Sequence, residues 1–426
     1  MTSDRPDTKA PEAAYVWIWL PGATAPVVAG RIARDGERLI FNYGQSYLDR
    51  SDRIPIYEPE LPLRSGAIAP EAGLSMAGCL RDAAPDAWGR RVILNRTFGR
   101  NGKDVDTAAL DELTYLLESG SDRTGALDFQ HSPSEYVPRD ARAATLEELL
   151  NAAEKVENGE PLTPDLDQAL FHGTSLGGAR PKATIQDGDT KMIAKFSSST
   201  DTYNVVKAEY VAMRLAARAG LDVAPVRLAH AAGRDVLLVE RFDRSRTKDG
   251  WTRKAMVSAL TLFGLDEMMA RYASYEDLAE IIRHRFTSPR ATLHELYGRL
   301  AFNILCGNTD DHARNHAGFL DGEHLTLTPA YDICPQGRSG NVASQAMLIV
   351  GDNRTSTLAT CLKAARNFQL SEKAAKDIIA RQIGTIREAW DGICEEAALT
   401  EVDRNLFGQR IFLNAYIFEG TAEGLR

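Results

Sequence analysis

Asp310 and Asn315 stand five positions apart in Thr309-Asp310-Asp311-His312-Ala313-Arg314-Asn315-His316, and Asp332 follows in Tyr331-Asp332-Ile333. Phosphoryl transfer uses a carboxylate to orient the attacking hydroxyl. It uses an Asn that turns back to a metal, and a second Asp that holds the metal against nucleotide phosphates. The separation of Asp310 and Asn315 is that of a protein-kinase catalytic loop. Such a loop works only with other groups that hold the nucleotide, and these should lie upstream.

They occur in the required order. The glycine-rich segment His172 to Lys182 contains Thr174, Ser175, Gly177, Gly178 and Lys182. Glycines let backbone N–H groups approach phosphate oxygens. The short apolar strand Met192-Ile193-Ala194-Lys195-Phe196 carries a central lysine for the phosphates, and a helical pattern over 204–219 carries Glu209 as its ion-pair partner. Lys207 lies close by, so a surface pairing of Glu209 is an equal alternative. Val236 to Asp243 is an apolar strand that turns polar, as expected of a hinge between two lobes that holds an adenine.

Other chemistry is weighed against this. Gly173-Thr174-Ser175-Leu176-Gly177 spells G-x-S-x-G, but a nucleophile elbow opens a helix, and here Pro181 and a strand-like alternation follow. His312 and His316 have the spacing of zinc ligands on one helix face, yet no glutamate adjoins the first histidine. His312 is instead assigned to orienting the loop backbone beside the nucleotide, and His316 to packing or surface.

The ordered set resembles the HipA-type serine/threonine kinases of bacterial toxin–antitoxin systems. The matching stretches are Thr174 to Lys182, Ile193 to Phe196, Glu240 to Arg244, Thr309 to Asn315 and Tyr331-Asp332. Leu80 to Arg91 and Thr124 to Leu127 resemble the family's amino-terminal subdomain. The resemblance implies Asp310 as catalytic base, Asn315 and Asp332 as Mg²⁺ ligands, Lys195 on the ATP phosphates, and Glu240 and Phe242 at the hinge. It implies autophosphorylation of Ser175, a helix-turn-helix antitoxin partner of the HipB kind, and DNA association only through that partner. It implies a protein substrate in translation, such as an aminoacyl-tRNA synthetase, with growth arrest. Asp311, where some members have glycine, is expected to add negative charge near the metal. Ile333-Cys334 after Asp332 departs from the Phe-Gly of eukaryotic protein kinases. Two alternatives stay open. One is a small-molecule or lipid kinase of the same fold, and the other a nucleotide-binding regulator without catalysis.

Composition sets the bounds. The chain has 426 residues, enough for two or three packing units, and its net charge of −9 disfavours direct DNA binding. Five scattered cysteines form no C-x-x-C pair and suit a reducing cytoplasm. The polar start lacks the basic region of a signal peptide, and no run approaches the ~20 apolar residues of a membrane helix. A cytoplasmic protein is expected.

The predicted fold class is α+β: a bilobal, protein-kinase-like arrangement with a strand-rich small lobe, a helical large lobe and an amino-terminal α+β subdomain. The expected divisions are a disordered tail over 1–14, the subdomain over 15–130, a linker and helix over 131–162, the small lobe over 163–243 and the large lobe over 244–426. Strands are predicted over 15–20, 26–33 and 38–43, with a hairpin at Asp187-Gly188-Asp189. Helices are predicted over 106–118, 145–156, 204–219, 251–263, 275–286, 291–305, 371–389 and 401–416.

Overall fold

The computed structural model describes residues 10–139, 144–170, 178–337, 340, 342–421 and 425. The chain divides into two compact units. One comprises Met1–Ala179 with Thr247–Arg253, and the other Arg180–Arg246 with Lys254–Arg426. Of the tail expected over 1–14, residues 1–9 lie outside the described residues, and Ala13 already opens the first strand.

In the first unit, β1 (Ala13–Ile18), β2 (Val27–Asp35), β3 (Arg38–Tyr43) and β4 (Leu127–Gln130) form an antiparallel sheet in the order β3-β2-β1-β4. The period of two along β1 sends Ala14, Val16 and Ile18 inward, all buried. Gly36, at φ 62°, makes the β2–β3 turn. The helix expected over 106–118 divides. A short turn at Thr107–Ala109 precedes α1 (Glu112–Glu118), because the Asp111 carboxylate accepts from the Thr114 amide at 3.0 Å and opens a new helix. The capping box of Thr145 and Glu148 starts α2 (Leu146–Asn158), and Gly159 ends it.

The second unit begins with an antiparallel sheet in the order β5-β6-β8-β7. Its strands are β5 (Lys182–Asp187), β6 (Thr190–Phe196), β7 (Val226–Ala231) and β8 (Arg234–Glu240). Along β6, Met192, Ala194 and Phe196 are buried in the core. Alternation therefore puts Lys195 on the other face, with Lys182 as its cross-strand neighbour. Packed on this sheet is α3 (Val205–Arg218), whose first turn is capped by the Asn204 side chain.

The helix expected over 251–263 is a correction. After β9 (Arg244–Thr247), the chain there forms β10 (Gly250–Arg253) and β11 (Met256–Ser258), and only Ala259–Leu262 is helical. Pairing decides it. Met256 to Ser258 lie against Phe319 to Ala317 of β12 (Ala317–Asp321), itself paired with β13 (His324–Leu327), and the Ser258 hydroxyl caps the short helix. The remainder is mainly helical: α4 (Tyr275–Arg285), α5 (Pro289–Cys306), α6 (Leu358–Ala364), α7 (Glu372–Glu396) and α8 (Glu401–Leu406).

The long helix α5 is buried continuously from Leu296 to Cys306. It ends at Gly307, whose φ of 73° only glycine adopts cheaply. A Cβ there would lie 3.0 Å from the Ile411 carbonyl oxygen. The helix expected over 401–416 widens after Leu406 into a π turn, Phe407–Ile411, and ends there, because the Leu413 amide donates to the Leu305 carbonyl at 2.8 Å. Gly307→Ala should therefore lower unfolding stability by about 1–3 kcal/mol, read from the urea midpoint. An unchanged midpoint would show that the loop root relaxes freely.

Candidate active site

Gly307 releases the chain from α5 into the loop that carries Asp310 and Asn315. The loop root is tied down by Asn308, whose side-chain amide donates to the Asn303 side-chain oxygen at 3.0 Å. Across the loop, the Asn315 backbone amide donates to the His312 carbonyl at 2.8 Å, and the Asn315 side chain donates to the Asp310 carbonyl at 3.3 Å. The two residues are thus held as a pair. Asp310 is exposed, and Asn315 is buried. Partial desolvation pushes the Asp310 carboxyl above its ordinary value. His312 opposes this, and the charges of Asp332 and Asp311 add to it.

Asp332 follows in a left-handed turn at φ 59°, a conformation costly for a residue with a side chain. Its carboxylate meets Lys195: the Lys195 Nζ donates at 2.5 Å to Asp332 Oδ1 and at 2.5 Å to Glu209 Oε1. Burial opposes a charge on Lys195, but the two carboxylates outweigh it and raise its pKa. Burial likewise pushes Asp332 up, and Lys195 overcomes this with help from Lys182 and His312, so the carboxyl is held down at about 2. Glu209, nearly without solvent contact, is raised by its burial in spite of Lys195.

The remaining nucleotide candidates are spread along the sheet and its exit. Lys182 is buried and acts on Asp332. Glu240 ends β8 opposite Met192. The Phe242 ring lies 5.5 Å from Tyr331 and 5.8 Å from Phe319, centroid to centroid. Tyr331 in turn donates to the Arg314 carbonyl at 2.6 Å, which ties the Asp332 segment to the loop that carries Asp310 and Asn315. Thr174, Ser175 and Gly177 lie outside the described residues, and Gly178 is exposed at φ 110°. His312 holds the loop through its carbonyl; its ring Nδ1 is buried without a hydrogen-bond partner among the described residues.

Asp311, expected to add negative charge near the metal, does act on Asp310, but from within the core: it is buried and accepts from the Tyr275 hydroxyl and from His316 Nε2, the latter at 3.1 Å. Sequence reasoning missed Tyr275 altogether, since it lies 36 residues from Asp311 in an ordinary amphipathic helix. It also missed Asp201, which takes two hydrogen bonds from Arg180 at 3.0 and 2.7 Å just after the glycine-rich segment. Nothing in the local sequence marks either.

Asn315 and Asp332 offer one amide oxygen and one carboxylate. That donor set fits Mg²⁺, which takes few protein ligands and completes its shell with water and phosphate. Among the described residues no group of three or more His, Cys, Asp or Glu side chains could hold a metal by itself.

An α+β fold with a strand lysine paired to a helix glutamate and a Asp-x₄-Asn loop defines a kinase. Two family models then match: the HipA N-terminal domain over residues 18–130 and the HipA-like C-terminal domain over residues 174–390. The chain belongs to the HipA family of kinase toxins. Y4mE of Sinorhizobium fredii, named as a candidate kinase, is 26% identical over 74% of this chain and 76% of its own length. The serine/threonine-protein kinase toxin HipA of Shewanella oneidensis is 24% identical over 35% of this chain and 38% of its own. The structure of Shewanella oneidensis HipA, solved with HipB and operator DNA, covers 93% of this chain and 94% of that one, with a TM-score of 0.67 and 18% identity. No helix among the described residues is long and apolar enough to cross a membrane.

Lys195→Met would strand the buried Glu209 carboxylate. It should cost about 3–5 kcal/mol of stability by urea unfolding, with part regained when Glu209→Gln is added. Because Asp332 is held at about 2 against an ordinary 3.8, its pairing stabilises the fold fully above pH 3.8 and progressively less as pH falls towards 2. That acid dependence should weaken in Lys195→Met. An unchanged midpoint and pH profile would remove the triangle from the fold's supports.

Proposed function

We propose that this protein is an ATP- and Mg²⁺-dependent serine/threonine protein kinase that acts as the toxin of a toxin–antitoxin pair. The observation that carries the reading is the Lys195 ammonium held between Glu209 and Asp332, beside a loop that pairs Asp310 with Asn315. Asp310 orients the acceptor hydroxyl and takes its proton as the bond to the γ-phosphorus forms and the bond from that phosphorus to the departing ADP oxygen breaks. Its raised pKa makes it a better proton acceptor than an ordinary aspartate. Lys195 and Lys182, neighbours across two strands, bring two positive charges to the phosphates. Thr174, Ser175, Gly177 and Gly178 would supply backbone N–H groups to the same phosphates, and the buried His312 Nδ1 has hydrogen-bonding capacity to spare. Glu240 and Phe242 would receive the adenine. Asn315 and Asp332 would hold Mg²⁺, which supplies neutralisation of charge on the transferred phosphoryl group.

The expected acceptor is a protein of the translation machinery, such as an aminoacyl-tRNA synthetase. Autophosphorylation at Ser175 would add up to two negative charges where ATP phosphates sit, and so switch the enzyme off. The partner is a HipB-like helix-turn-helix antitoxin that brings the complex to DNA, in keeping with the net charge of −9. The similarity to a HipA solved with HipB and operator DNA supports this. The expected location is the cytoplasm.

Purified wild-type protein should accept labelled γ-phosphate from Mg-ATP, and Asp310→Ala should reduce incorporation by about a hundredfold or more. Label mapping to Ser175 supports self-inhibition. No label on protein shown by intact mass to start unphosphorylated ends the autokinase claim. The acid limb of kcat/KM, which follows protonation of Asp310, should have its midpoint above the ordinary 3.8. A midpoint at or below 3.8 would take the base role from Asp310.

A further inference from the structure

The catalytic loop contains two adjacent pairs, Asp310-Asp311 and Asn315-His316. In each pair the first residue is the one assigned to chemistry. The second turns into the core: Asp311 and His316 are buried, and His316 Nε2 meets the Asp311 carboxylate at 3.1 Å. That bond spans the same five residues as the separation of Asp310 and Asn315. The Tyr275 hydroxyl, from the first residue of α4, donates to the same carboxylate. Its ring stands edge-on to His316, with centroids 5.6 Å apart. Tyr275 is itself fixed, because its amide donates to the Leu348 carbonyl at 2.9 Å, and the His316 carbonyl accepts from the Ala259 amide at 2.7 Å.

We infer that Tyr275, Asp311 and His316 are positioning residues, a clamp beneath the loop that fixes the separation of Asp310 and Asn315. The inference rests on the kinase reading and adds a part to it. A merely packed histidine would need one partner anywhere in the core. Here the bond joins the residue after the base to the residue after the metal-binding Asn, so loosening it releases both ends of the loop together. A carboxylate buried without donors is costly, so Asp311 stays where Tyr275 and His316 hold it.

The test compares Tyr275→Phe, Asp311→Asn and Asp311→Ala with wild type. Thermal unfolding checks the fold, steady-state kinetics give kcat and KM for Mg-ATP, and amide hydrogen exchange is followed over 309–317. Tyr275→Phe loses one hydroxyl and keeps the ring, so it serves if Asp311→Ala fails to fold. Folded variants are expected to show kcat lower by about tenfold or more, as misplaced catalytic groups do. KM should move by less than about twofold and exchange in 309–317 should quicken, with Asp311→Asn retaining more activity than Asp311→Ala. Wild-type kcat or wild-type exchange in folded Tyr275→Phe and Asp311→Asn overturns the clamp. If the wild type itself transfers no phosphate, the kinase reading fails, and the clamp is judged on the exchange rates alone.

Discussion

The Lys195 ammonium is the point on which the second unit turns. It joins, at one atom, a strand, a helix and a turn. Glu209 lies 14 residues from it and Asp332 lies 137 away. A buried cation is tolerated only when its charge is answered at short range. Two carboxylates do this, and each is changed in return. Asp332 is held as an anion, and Lys195 counters the burial that raises Glu209. The strained backbone at Asp332 is explained by the same contact, since the left-handed turn is what presents that carboxylate to the strand.

Much of this was legible in the residues, because phosphoryl transfer demands particular groups in a particular order. The strand lysine could be read from an apolar pentapeptide with one charge. The aspartate and asparagine could be read from a five-residue interval. The Thr145–Glu148 cap and the Gly188 turn could be read because their chemistry is local and leaves few choices.

What could not be read depended on partners distant in sequence. Trp251 to Phe263 has a helical period, yet β12, some sixty residues on, offers Met256 to Ser258 a better set of hydrogen bonds. The stretch after Leu406 also has a helical pattern, which continues as a π turn over Phe407–Ile411, but the Leu413 amide then turns to the end of α5. Asp311 shows the same limit at the site. Beside Asp310 it reads only as added negative charge near the metal, and the approach of Tyr275 and His316 is what makes it a core residue. The glycine-rich motif was legible as sequence, while Thr174, Ser175 and Gly177 lie outside the described residues.

The composition of the first unit has a consequence for synthesis. That unit is not closed by its own stretch of chain, since it takes Thr247–Arg253 from far downstream. Arg253 lies over the Trp19 ring at 3.4 Å and donates to the Ser121 carbonyl at 2.8 Å. A nascent chain can form the β1–β4 sheet early, but it cannot complete that unit until Arg253 has left the ribosome. By then the whole of the β5–β8 sheet has also emerged. A fragment cut at the boundary near residue 179 would keep Tyr136 against Trp19 but lack the guanidinium that covers the ring's face.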